Sequence, residues 1–127
     1  PWLTCGGGCA CSPSIGLHAG TISDGEGDYP LRTECWWLIA GRNIQVKLEE
    51  VDVEEGFDFL RLSSCSDPSC NQSLPIASFT GNSGANKTFF LAAGVMRVSL
   101  LSDFGISAAG FVATWRTDSE GYYCNLA

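Results

Sequence analysis

No stretch of this chain keeps a helical apolar period over the ~10 residues that a helix needs. Apolar and polar residues alternate instead. Ile44, Val46 and Leu48 interleave with Gln45, Lys47 and Glu49, the pattern of a strand with one face buried. Residues 36–40 precede this run, and further β-rich runs occupy 59–62, 74–79, 89–92, 95–101 and 111–115. Turn formers separate them: Gly41-Arg42-Asn43, a loop over 63–72, and the Gly- and Asn-rich segment 80–87. Residues 1–19, rich in Gly, Cys, Pro and Ser, read as an irregular, cross-linked beginning. Short strands spaced by such turns predict an all-β fold, an antiparallel two-sheet β-sandwich. At 127 residues the chain has the size of one domain.

The charge balance narrows the partners. Fourteen acidic residues against seven Lys and Arg give a net charge of −7. No basic stripe is available to neutralise phosphates, so nucleic acid is not an expected partner. A negative surface attracts cations and basic proteins. No window resembles the ~18 unbroken apolar residues of a membrane helix, so no membrane insertion is expected. The chain starts at Pro1 without Met, which reads as a mature chain or a piece of a longer one.

Seven cysteines (Cys5, Cys9, Cys11, Cys35, Cys65, Cys70 and Cys124) accompany a single histidine, His18, and no C-x-x-C pair. That is a poor zinc set and fits a disulfide framework in an oxidising, extracellular setting, secreted or at the cell surface. Two sequons, at Asn71 and Asn86, suit the same route and mark glycosylation candidates.

Six carboxylates crowd the stretch 49–58: Glu49, Glu50, Asp52, Glu54, Glu55 and Asp58. They are either a solvated acidic edge that discourages strand-to-strand aggregation or hard oxygen ligands for a cation. Catalytic readings find less support. Gly81-Asn82-Ser83-Gly84 is explained by a turn, and no base is placed to activate Ser83. Paired carboxylates could in principle hydrolyse glycosides, but no substrate cleft is signalled. The chain is not expected to be an enzyme.

Several motifs, taken in series, resemble a CUB domain. They are Gly20-Thr-Ile22, Tyr29-Pro30, Cys35-x-Trp37-x-Ile39, Val51-Asp52-Val53-Glu54, and Phe57-Asp58-x-Leu60-x-Leu62. Met96-x-Val98-x-Leu100-x-Ser102-Asp103 and Gly110-Phe111-x-Ala113-x-Trp115 follow. The resemblance covers 11–115 and implies a jelly-roll type sandwich that recognises other proteins and is not itself catalytic. It divides the chain into a Cys/Gly-rich segment 1–10, a CUB-like domain 11–116, and a tail 117–127 tied back by a disulfide. One departure is plain. The acidic loop is short and lacks the cysteine that usually opens the family's second disulfide.

The resemblance further implies a Ca2+ site on Glu54, Asp58 and Asp103, with the carbonyl of Gly105 as an extra ligand and Tyr29 as a brace. The same residues would face a Lys or Arg of an extracellular protein partner, with Trp36 as a further surface contact. Trp37 and Trp115 fall on core-facing positions, so Trp36, on the opposite face of its strand from Trp37, is the better candidate for surface contact. Cys11–Cys35 corresponds to the family's first disulfide, and Cys65–Cys70 reads as a local replacement for the second. Cys5 or Cys9 would then join Cys124. The cysteine left over would form an intermolecular disulfide or stay as a buried thiol. Within larger secreted or cell-surface assemblies, a calcium-assisted glycan-binding module and a targeting domain of a secreted protease are the alternatives.

Overall fold

The structure is a computed structural model that describes residues 1–25, 27–103 and 105–118. Among these residues the chain forms eight strands: β1 (Trp2–Gly6), β2 (Ser14–Ile15), β3 (Ala19–Ser23), β4 (Glu34–Asp52), β5 (Phe59–Cys65), β6 (Ser73–Phe79), β7 (Thr88–Leu101) and β8 (Gly110–Asp118). No helix occurs among the described residues, and every pairing is antiparallel.

Two long strands build both layers of the sandwich. The first half of β4 pairs with β1, and its second half pairs with β8. β7 follows β4 from Leu101 back to Thr88, so both strands pass from one layer into the other. One layer runs β2-β1-β4-β7-β5-β6, and β3-β8 completes the other beside the far half of β4. The expected turn at Gly41-Arg42-Asn43 is therefore a corner within a strand. Asn43 takes a left-handed φ of 51° there, and Gly41 lies opposite Gly94 of β7. Gly94, at φ 115°, sits where a side chain would be strained.

The two inner faces supply the core. Cys35, Trp37 and Ile39 from the first half of β4 meet Ile44, Val46, Leu48, Phe111, Ala113 and Trp115 from the other layer. Trp37 sets its ring edge-on to Phe111, with centroids 5.0 Å apart, a favoured aromatic geometry. Inward residues along β4 and just beyond its end run 44, 46, 48 and then 51, 53, which is a change of parity. A bulge between Leu48 and Glu50 in the β4–β8 register absorbs it. The polar face of β4 near its end therefore carries Glu50 and Asp52 outward.

The segment expected to be irregular contains a true strand. β1 pairs with β4, placing Cys5 opposite Trp37 and Gly6 opposite Trp36, and Leu3 is buried. This pairing corrects the disulfide assignment. The chain turns at Gly7 and Gly8, which carries Cys9 rather than Cys11 to Cys35, and Cys11 returns to Cys5. The Cα separations of 5.9 Å and 5.7 Å are those of ordinary disulfides. Cys11–Cys35 is thus replaced by Cys9–Cys35. With Cys5 and Cys9 both bonded inside the N-terminal segment, neither is available to join Cys124 or another chain. Cys124 lies outside the described residues, as does most of the tail. Cys65 and Cys70 are joined, closing the loop after β5.

Two measurements check this arrangement. Proteolysis without reduction is expected to yield peptides linked Cys9 to Cys35, and none linked Cys11 to Cys35. Leu60→Ala, at a fully buried position of β5, is expected to cost about 2–5 kcal/mol in urea unfolding.

Candidate functional site

The antiparallel register decides which acids meet. β7 ends where β5 begins, with Leu101 opposite Phe59, so the residues just outside these strands, Asp103 and Asp58, adjoin. β4 lies on the other flank of β7, and its continuation enters a tight turn. In that turn the Glu54 carbonyl accepts from the N–H groups of Phe57 and Asp58, and also from the Thr80 hydroxyl. The turn aims Glu54 at the same point. Glu54, Asp58 and Asp103 each offer a carboxylate oxygen, and these oxygens all lie within 4.8 Å of one another.

Asp58 has no exposed surface. Its Oδ2 accepts from the Tyr29 hydroxyl at 2.5 Å, and its Oδ1 accepts from the Asp103 N–H at 2.9 Å. The Tyr29 oxygen in turn accepts from the Glu54 N–H at 3.0 Å. Tyr29 thus joins the loop after β3 to two of the three acids. Burial, followed by the hydrogen bond to Asp58, pushes its phenol pKa well above the ordinary tyrosine range. The Gly105 N–H donates to Asp103 Oδ1 at 2.9 Å, and the Arg32 N–H donates to the Asp103 carbonyl at 2.8 Å.

Electrostatics single out Glu54. Its Oε1 is buried and has no hydrogen-bond partner. Desolvation raises its pKa above 4.5, and the charges of Asp103 and Asp58 raise it further. Three converging carboxylates, one with an orphaned buried oxygen, suit a hard cation, which would offset both the repulsion and the missing hydrogen bond.

The other acids of the crowded stretch do different things. Glu49 pairs with Lys47 at 3.2 Å and accepts from Thr114 at 2.9 Å. Glu50, Asp52 and Glu55 are exposed. Trp36 is half-buried away from the acids, in a small outer-face cluster with Leu38, Ala40, Cys65 and Val95. Asn71 and Asn86 are exposed, and Asn86 holds a left-handed φ of 66°. Ser83 donates its hydroxyl to the Thr80 carbonyl within a turn. Sequence reasoning missed Asp24, a 7% exposed carboxylate beyond β3 that accepts from the Phe111 N–H at 2.8 Å. A lone Asp in a Gly-rich loop gives no signal of burial.

Comparison with solved structures recovers this architecture. The MASP-1 CUB2 domain bound to Ca2+ superposes with a TM-score of 0.66 at 18% identity, over 80% of this chain and 94% of that one. The fold is that of a CUB domain. The human MASP-1/3 CUB1-EGF-CUB2 structure matches 87% of this chain and 46% of its own length, at TM-score 0.60 and 18% identity. The full extracellular region of zebrafish Gpr126/Adgrg6 matches at TM-score 0.64 and 22% identity, covering 79% of this chain and 14% of that one. This chain thus spans less than half the length of both multi-domain neighbours. No family model and no curated protein sequence matches. The CUB fold is carried here by a sequence far diverged from its structural neighbours.

Two variants test the site's internal logic. Tyr29→Phe removes one of the two donors to a fully buried carboxylate and is expected to cost about 1–3 kcal/mol in urea unfolding. Because the folded state raises the Glu54 pKa, it binds the extra proton above pH 4.5. Without a cation, stability should therefore fall as pH rises from 4.5 through that elevated value. In chelator, Glu54→Gln should flatten this slope and raise the midpoint at neutral pH. An unchanged slope would contradict the assignment.

Proposed function

We propose that this chain is an extracellular CUB module that recognises a protein partner through a calcium-loaded acidic site. The observation that carries the reading is the convergence of Glu54, Asp58 and Asp103 within 4.8 Å, with Glu54 Oε1 buried and unpartnered. Such oxygens are matched to Ca2+, which takes about six to eight hard ligands. The carbonyl of Gly105 and water would complete the set, and Tyr29 would hold Asp58 and the Glu54 backbone in place. Bound calcium would supply charge balance and rigidity, fixing carboxylate oxygens to accept from a Lys or Arg of the partner. The extracellular setting is supported by the intramolecular disulfides, and by neighbours that include the extracellular region of a zebrafish protein. The exposed sequons at Asn71 and Asn86 would carry glycans under the same reading.

Calorimetric titration of the chelator-treated protein tests it. Saturable calcium binding is expected, with a dissociation constant of roughly 10⁻⁴–10⁻³ M, as in other extracellular modules. At about tenfold excess over that constant, calcium should stabilise the fold by about 1.4 kcal/mol. Asp103→Ala should abolish both effects. Absence of heat at millimolar calcium, or an unchanged isotherm in Asp103→Ala, would rule the reading out.

A further inference from the structure

β7 changes partners at the corner. From Val95 onward it lies between β4 and β5, but from Thr88 to Ala93 it pairs with β4 alone. This segment, Thr-Phe-Phe-Leu-Ala-Ala, is an open edge of its layer, and among the described residues no strand pairs with its other side. Open edges are usually blunted by charges, prolines or bulges. β6, the open edge of the other layer, has both Pro75 and a bulge in its register with β5. The 88–93 segment holds no charge and no proline, and its register with β4 is regular over 88–91. Thr88, Phe90 and Ala92 are exposed, Phe90 to 71%.

The phase of the ladder decides what this edge offers. The Leu48 N–H donates to the Lys87 carbonyl, and the register continues with Val46 opposite Phe89 and Ile44 opposite Leu91. Hydrogen-bonded pairs alternate along an antiparallel ladder, so Phe89 and Leu91 turn their N–H and C=O groups to β4. Thr88, Phe90 and Ala92 turn theirs outward. Such a row is a template for one more antiparallel strand.

Charge selects the strand. Each copy of the chain carries a net charge of −7, so two copies repel wherever their acids meet. Residues 68–96 contain a single charge, Lys87, and this edge lies among them. We propose that residues 88–92 pair antiparallel with the same segment of a second copy, about a two-fold axis at Phe90. The axis sets Phe90 opposite Phe90 and Thr88 opposite Ala92, so every outward N–H meets an outward C=O. The contact is isologous, and the two exposed phenyl rings cover each other as a cross-strand aromatic pair. Lys87 falls opposite Ala93, so no like charges face each other. The acidic triad lies beyond the other end of β7, past Leu101. Both triads of the dimer therefore stay open, and two weak contacts can act together on one partner.

Sedimentation velocity of the full chain tests the association, and hydrogen exchange followed by NMR tests its location. A concentration-dependent monomer–dimer equilibrium is expected, in chelator as well as in calcium. Exchange at the Thr88, Phe90 and Ala92 amides should slow as concentration rises, while Phe89 and Leu91, already bonded to β4, change less. Phe90→Lys sets two ammonium groups against each other across the axis and should weaken dimerisation roughly tenfold. Ala92→Pro removes a donor that makes no bond within the monomer and should act similarly. Ile15→Lys, at a 90% exposed position on another strand, should leave the dimer unchanged. The proposal is overturned by a monomer mass at every concentration up to about 1 mM. It also fails if the 88, 90 and 92 amides of the dimer exchange as fast as in the monomer, or if Ile15→Lys dissociates it as much as Phe90→Lys.

Discussion

Asp58 is a carboxylate with no exposed surface, held by the Tyr29 hydroxyl and the Asp103 N–H. Burying such a group costs several kcal/mol unless both oxygens find donors. Here the two donors come from loops far apart in sequence. The loop after β3 supplies Tyr29, and the segment after β7 supplies Asp103. Tyr29 also fixes the turn after β4 through the Glu54 N–H. Three chain segments therefore take their positions from one ionisable group. The cost of disturbing any of them is exposure of Asp58 to an unfilled bond. That coupling gives a small sandwich a rigid end on which further acids can be placed within ångströms of one another.

Register does the placing. Without the bulge between Leu48 and Glu50, the parity set by Ile44, Val46 and Leu48 would turn Glu50 and Asp52 into the core. With it, Val51 and Val53 point inward and the acids outward. The same shift lets the chain leave β4 with Glu54 turned toward Asp58. A single extra residue in one strand thus separates two groups of acids, one converging on the end of the sandwich and one spread over its outer face.

Much of this was legible in the sequence, and for identifiable reasons. Alternation at residues 44–48 reports a buried face directly, because period two has no helical counterpart. The triad was reachable through the resemblance, since Asp58 and Asp103 sit at fixed steps from apolar strand residues. The local Cys65–Cys70 pair was reachable too, but the pairing of the N-terminal cysteines was not. It depends on whether residues 2–6 form a strand and on which strand they join, and that partner lies some thirty positions away. Trp2-Leu3-Thr4 does favour β structure, but the flanking glycines and cysteines obscured it. The corner at Gly41–Asn43 looks like a turn in sequence for a related reason. A strand that crosses between layers uses the same residues as a hairpin, and only its hydrogen-bond partners tell the two apart. Asp24 was illegible because its burial follows from the absence of a side chain at position 110, on another strand.

Net charge alone says little about which acids matter. Exposed carboxylates such as Glu55 interact with a partner through water and salt, and beyond about 8 Å they are largely screened. Glu49 is already satisfied by Lys47 and Thr114. Glu54 and Asp24 differ in each having a buried oxygen that no protein donor reaches. At such positions the dielectric is lower and the interaction directional, so a ligand is distinguished by the shape of its charge as well as its sign. Converging oxygens such as those of Glu54, Asp58 and Asp103 are matched to a compact divalent ion. The acids on the outer face of β4 are not in that convergent group, although both groups are built from the same kind of residue.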